Sequence, residues 1–329
     1  VRIEVWADVT CPWSFIGKHW LDQALARWLG EPVEVVWLPF QTDPTAPAQP
    51  RRLEEALASP EARDYDEEFG LSPARRRRPA DIAVAEGLGA LAPRWRVNTL
   101  DVHRLLAAAR AEGGPGLQGE LMDRLLRAHF LAGANLGDHD VLIDIAGSAR
   151  MRGARAVLAG DAWAEEVNRA LARGRAKGVP ASPTFVVGRR MLWGAAPVEA
   201  LIELLEQPTP TVEDGAVADF RYAEALLDAR DPLGALRLLR PLLAEHRDRA
   251  VRVLEARAYL VSAQLRRAER LLGELAEQDP TDDYVRYLLG QAVERQARVG
   301  EALRHHRLAA ALRPDPVYTE AVARVAVAA

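Results

Sequence analysis

Asp8-Val9-Thr10-Cys11-Pro12-Trp13-Ser14-Phe15-Ile16-Gly17-Lys18 is the most informative stretch of the chain. Upstream of it, Arg2 to Ala7 carries β-branched and aromatic residues and reads as a strand that ends at Asp8. Downstream, Phe15, Ile16, Trp20, Leu21, Ala24, Leu25, Trp28 and Leu29 recur at helical spacing, while Lys18, Asp22 and Arg27 can face water. A helix is therefore expected from about Pro12 to Leu29. Pro12 suits its first position, where a missing N–H leaves nothing unpaired. Gly30-Glu31-Pro32 closes the helix, and Val33-Glu34-Val35-Val36-Trp37-Leu38 follows as a second strand. The result is a βαβ unit with Cys11 at the mouth of its helix.

That position has chemical content. The first turn of a helix leaves N–H groups unpaired and carries partial positive charge. A thiolate there is stabilised, so the expected pKa of Cys11 lies below the value of about 8.5 for a free cysteine. Free cysteines are also common as inert core residues. A lone cysteine between a strand end and Pro-Trp at a helix start fits the reactive reading better.

The stretch resembles the active-site segment of the DsbA family, specifically its cytoplasmic FrnE-like branch. The resemblance continues in Asn98-Thr99-Leu100-Asp101-Val102-His103-Arg104-Leu105 and in Leu125-Leu126-Arg127-Ala128-His129-Phe130, with Asn135-Leu136 and Asp138 soon after. It returns in Gly178-Val179-Pro180-Ala181-Ser182-Pro183-Thr184-Phe185-Val186-Val187. These segments cover residues 1–207 in the family's order and spacing. The resemblance implies an α/β thioredoxin fold split by a large helical insertion over about 51–177. The core then resumes with strands at Thr184–Val187 and about Met191–Trp193, and a closing helix over 197–206. It also implies that Pro183 is cis and packs beside the sulfur, leaving the Ser182 backbone open to an extended peptide or thiol ligand. On this reading Cys11 and Ser14 are catalytic, and Pro12, Trp13, Ser182 and Pro183 shape the site. His19, Asn98 and His103 are candidates for the cleft, with helix packing or capping as their plainer role.

Ser14 departs from the family. Thiol oxidoreductases of this fold usually carry a second cysteine there, which attacks the mixed disulfide formed by the first. A serine hydroxyl cannot resolve a disulfide, although it can donate a hydrogen bond to the Cys11 thiolate. Three readings stay open. Cys11 is the single thiol of an oxidoreductase resolved by an outside thiol. Alternatively it serves a thiol-dependent transferase or isomerase, similar to the kappa-class glutathione transferases and 2-hydroxychromene-2-carboxylate isomerases, although those keep a serine where Cys11 stands. Or Ser14 is an engineered replacement in a dithiol enzyme. No tightly bound cofactor is expected; a low-molecular-weight thiol would be the co-substrate, and protein thiols or disulfides the partners.

The remainder of the chain differs in character. All eight tryptophans lie between Trp6 and Trp193. Pro208-Thr209-Pro210-Thr211 reads as a linker, placed at 208–216, and an all-α domain over 217–329 follows. Ala235, Ala268 and Ala302 stand 33 and 34 residues apart, and Pro280 and Pro314 each follow their alanine by 12. Gly290 stands where Ala256 and Ala223 stand in the earlier units. This period resembles the tetratricopeptide repeat, in three degenerate copies over 217–249, 250–283 and 284–316. Tyr259 is the one surviving consensus aromatic. Such stacks leave a concave face for a peptide or protein partner, or serve simply to dimerise or stabilise. A thioredoxin-like domain joined to these repeats also resembles chaperone-redoxin fusions that hold unfolding clients.

Composition narrows the rest. The 329 residues suit two domains, and a net charge of −4 gives no pull towards nucleic acid or an anionic membrane. Arg75-Arg76-Arg77-Arg78, between Pro73 and Pro79, reads as a solvated loop. Asp161 with Glu165-Glu166 reads as a capped helix start. His305 and His306 are adjacent and point to different helix faces, which disfavours a shared metal. The opening residues show no secretory signal pattern, no run of about 18 apolar residues occurs, and one cysteine permits no internal disulfide. The expectation is a cytoplasmic protein.

Overall fold

The protein is described by a computed structural model over residues 1–47, 49–53, 55, 73–206, 215–245 and 248–327. It divides into two compact units, Val1–Val212 and Glu213–Ala329. The expected Pro208–Thr211 linker lies outside the described residues.

The first unit is built on β1 (Arg2–Ala7), α1 (Pro12–Arg27) and β2 (Glu34–Pro39). β1 runs parallel to β2, with Val5 opposite Trp37. The chain re-enters the sheet at β5 (Thr184–Val187) and β6 (Arg190–Trp193), and α7 (Val198–Leu205) closes the unit. β5 lies antiparallel to β1 and β6 antiparallel to β5, giving a four-stranded sheet of order β2-β1-β5-β6. This is the expected thioredoxin core. Alternation of side chains across the sheet decides what covers each face. Phe185 points towards α1, where it lies 3.2 Å from the position a Cβ on Gly17 would take. Trp6 points the other way, onto Gly174 of α6 (Ala164–Ala176).

Between β2 and β5 come β3 (Arg51–Arg52), α2 (Pro73–Ala85), β4 (Trp95–Arg96), α3 (Leu100–Phe130), α4 (His139–Ser148), α5 (Ala154–Leu158) and α6. α3 bends at Gly113-Gly114: Gly114 has φ +69°, a conformation that costs a side-chain-bearing residue but not glycine. Pro115 then starts the second half. Phe15, Leu105, Leu121, Leu125, Phe130 and Phe185 share one buried core, so the insertion completes the sheet's packing. Gln118 of α3 pairs with the backbone of Trp37, accepting from its N–H at 3.1 Å and donating to its carbonyl at 2.9 Å.

Two local expectations are corrected here. The Arg75–Arg78 stretch is helical rather than a loop, because α2 starts at Pro73, whose ring suits a first turn, and continues through Pro79. Asp161 does not cap α6; Trp163 occupies the N-cap with φ +67°, and Asp161 instead offers its carbonyl to the Ala164 N–H.

The second unit contains seven helices among the described residues: α8 (Ala216–Asp228), α9 (Pro232–Glu245), α10 (Arg249–Val261), α11 (Leu265–Gln278), α12 (Asp283–Glu294), α13 (Val299–Leu312) and α14 (Pro316–Val327). Each pair turns in the same way. Arg230, Ala263 and Ala297 all adopt positive φ. The next residue's N–H reaches back to the carbonyl of Leu226, Tyr259 or Val293, closing the same C-terminal motif each time. Ala235, Ala268 and Ala302 follow five residues later and are fully buried, so the sequence period is the period of the structure. Gly290 has no room for a Cβ, which would sit 2.6 Å from the buried His306 ring.

Candidate active site

β1 ends at Ala7 and the chain turns through Asp8-Val9-Thr10, with the Cys11 N–H donating to the Asp8 carbonyl at 3.2 Å. Cys11 is the N-cap of α1 with extended backbone, and Pro12 begins the helix. Across from it the Ser182-Pro183 peptide is cis. The Cys11 thiol donates to the Ser182 carbonyl at 3.1 Å. The Ser14 and Ser182 hydroxyls lie 2.8 Å apart, and the Asp8 N–H donates to the same Ser182 oxygen at 2.8 Å. Gly17, one turn into α1, lets Pro183 approach: a Cβ there would stand 2.9 Å from the Pro183 Cγ. Pro12 and Trp13 are half-buried at the helix mouth.

Three expectations about this site change. The Ser14 hydroxyl engages Ser182, not the sulfur; it is the Ser14 backbone N–H that favours charge on Cys11. The Ser182 backbone is not open, since the residue is buried and its carbonyl already accepts the thiol. The Cys11 pKa is raised rather than lowered. Burial is the largest cause, and the Asp8 carboxylate adds to it; the Ser14 and Trp13 backbone N–H groups and Ser182 pull the other way. The helix mouth does stabilise the thiolate, but at 8 % exposure the loss of water outweighs it.

His103 and Asn98, both expected near a cleft, fasten the segment after β2. The His103 Nε2 lies 2.9 Å from the Phe40 carbonyl, to which it donates, and burial pushes its pKa down. The Asn98 side-chain oxygen accepts from the Leu100 N–H at 3.0 Å, at the start of α3, and from Gln41 at 3.3 Å. His19 turns to the α2 side, 2.8 Å from Gln23 and 3.6 Å from Glu86, with no bond to Cys11 or Ser182. Sequence reading missed Thr42 and the role of Asp8. Asp8 is buried and its carboxylate accepts from Thr10 and Thr42. An acid three residues before a reactive cysteine was the available signal. Among the described residues no helix is long and apolar enough to cross a membrane, and no cluster of His, Cys, Asp and Glu could hold a metal.

A sheet that delivers a helix-mouth cysteine against a cis-proline is the construction of a thioredoxin-fold thiol protein. Comparison with known proteins narrows that class. The chain belongs to the DsbA-like thioredoxin domain family, whose model matches residues 2–206, and a tetratricopeptide repeat model matches residues 226–292. It is similar to a solved structure of a probable DsbA oxidoreductase from Streptomyces coelicolor. The two are 28% identical, with a TM-score of 0.55, over 65% of this chain and 94% of that one. Among curated proteins, YwbO of Bacillus subtilis (strain 168) is 24% identical over 199 residues, which is 60% of this chain and 91% of YwbO. The first unit is thus a DsbA-like oxidoreductase domain with one cysteine.

Proposed function

We propose that this chain is a monothiol thiol-disulfide oxidoreductase of the FrnE-like type, acting through Cys11 alone. The observation that carries the reading is the Ser14–Ser182 hydroxyl pair, which fills the place of a resolving sulfur with a satisfied, buried hydrogen bond. The Cys11 thiolate attacks one sulfur of a disulfide. The old S–S bond breaks, a Cys11 mixed disulfide forms, and the displaced thiolate leaves and takes up a proton. A second thiol, of low molecular weight or on a protein, then attacks the mixed disulfide and releases Cys11. We place this chemistry in a reducing compartment, the cytoplasm, where such a thiol is supplied.

The test is intact-mass analysis after incubation with glutathione disulfide, followed by reduced glutathione. One glutathione adduct should form at Cys11, persist, and be removed by the free thiol. Absence of any adduct would point to a scaffold role. Ser14→Cys then asks whether the domain retains dithiol capacity: a gain of tenfold or more in insulin disulfide reduction is expected, and no gain would favour the transferase or isomerase reading.

A second reading concerns the repeats. A groove of about 550 Å³ in the second unit is lined by Phe220, Val253, Leu254 and Tyr284 with Glu224 and Arg257 at hand. Its aromatic side chains, with Arg249 paired to Asp282 at 2.6 Å on the same lining, support a peptide or unfolding-client partner, with Cys11 forming protective mixed disulfides.

A further inference from the structure

Asp8 is 1 % exposed and each of its polar atoms is engaged. Its N–H donates to the Ser182 hydroxyl at 2.8 Å, and its carbonyl accepts from the Cys11 N–H at 3.2 Å. One carboxylate oxygen takes the Thr10 N–H and hydroxyl at 3.1 and 3.0 Å; the other takes the Thr42 N–H and hydroxyl at 2.7 and 2.8 Å. All four are neutral donors, and four donors fit the acceptor-only, ionised form. The residue therefore joins the cysteine turn, the segment after β2 and the cis-proline loop.

We propose that Asp8 is a positioning residue for the reaction of Cys11: it fastens three segments around the sulfur, and its buried charge opposes the development of charge there. The proposal rests on the reading of Cys11 as the reacting thiol. The groups that feel the Asp8 charge are Cys11 and two imidazoles of α3, His103 and His129. Burial holds both imidazoles neutral, and Arg94 further disfavours charge on His129, so neither supplies a cation to cancel Asp8. At rest Cys11 is consequently held as a thiol donating to Ser182. Once it has formed a mixed disulfide it is a poor leaving group, because a thiol of high pKa departs slowly. Asp8 thus biases exchange towards taking a sulfur partner from a disulfide and keeping it until a second thiol arrives.

The experiment is the pH profile of iodoacetamide alkylation of Cys11 in the full chain, with folding followed by circular dichroism. It reads the thiol itself, so it reports on Asp8 whether or not any disulfide proves to be a substrate. Asp8→Asn should move the midpoint down by about one unit, giving roughly tenfold faster alkylation at pH 7. Thr42→Val removes a donor and leaves the charge less compensated, so its midpoint should rise and the rate at pH 7 should fall about twofold. A folded Asp8→Asn chain with an unmoved or higher midpoint overturns the proposal. So does one that reacts faster at every pH with the midpoint unmoved, since that is mere loosening. If Asp8→Asn does not fold, Thr42→Val decides alone, and an unchanged or lowered midpoint overturns it.

Discussion

Gly17 shows how much of the site is set by the absence of an atom. A Cβ there would press on Pro183 and Phe185 at once, at 2.9 and 3.2 Å, and both neighbours are buried. Gly17→Ala should therefore shift the cis-proline loop and cost about 1–3 kcal/mol by overpacking. Loss of the Ser182 partner should also change the rate of Cys11 adduct formation several-fold. Chemical denaturation together with adduct kinetics checks this, and unchanged values for both would show that the loop yields freely. Cys11 was legible in the sequence because its backbone setting is local, a strand end before a helix start. The cis Pro183 was legible only through the family resemblance, since a Ser-Pro pair by itself reads as an ordinary trans turn. The raised thiol pKa was not legible. It depends on burial by the whole domain and on Asp8, whose partners Thr42 and Ser182 are distant in sequence.

At the scale of elements, spacing was a good guide wherever apolar residues repeat, and a poor one where proline dominates. The expected helix after Cys11 is α1 within two residues of its end, and β5 has the expected bounds. Arg75–Arg78 failed because prolines mark turns on average, whereas Pro73 here begins a helix and Pro79 is carried inside it. The repeat period survived the loss of consensus aromatics because it is held by buried alanines and by the recurring left-handed turn. On the groove of the second unit, Tyr284 is exposed and Phe220 half-buried, so both offer aromatic area to an occupant. The full chain should slow aggregation of an unfolding client protein. Phe220→Ala with Tyr284→Ala should remove at least half of that effect while leaving helicity unchanged. Equal protection by the double variant would assign the groove no part in client binding.

For the whole molecule, all eight tryptophans fall at 6–193, in the unit that packs a sheet, while the other unit packs small residues between helices. The first unit also buries groups that make it acid-sensitive. Burial holds the His129 pKa down at about 4. An unfolded histidine titrates near 6.5, so between those values only the unfolded chain takes up the proton. Stability is therefore full above about pH 6.5 and falls as pH drops towards 4, by roughly 3 kcal/mol for this group. The Asp123 carboxyl is raised by burial, but Lys18 and Arg127 outweigh that and hold it low. Its contribution is present above the ordinary carboxylate range and is lost on still further acidification. Denaturant midpoints measured from pH 7 to 4.5 should fall steadily, and His129→Phe should flatten the slope. A flat wild-type profile would contradict the assignment. The sheet carries a separate consequence for behaviour at high concentration. Gln118 occupies both the N–H and the carbonyl of Trp37 on β2, the edge strand of the sheet. A further strand adding at that edge would first have to displace Gln118 from the Trp37 backbone, which works against growth of the sheet into larger assemblies on the β2 side.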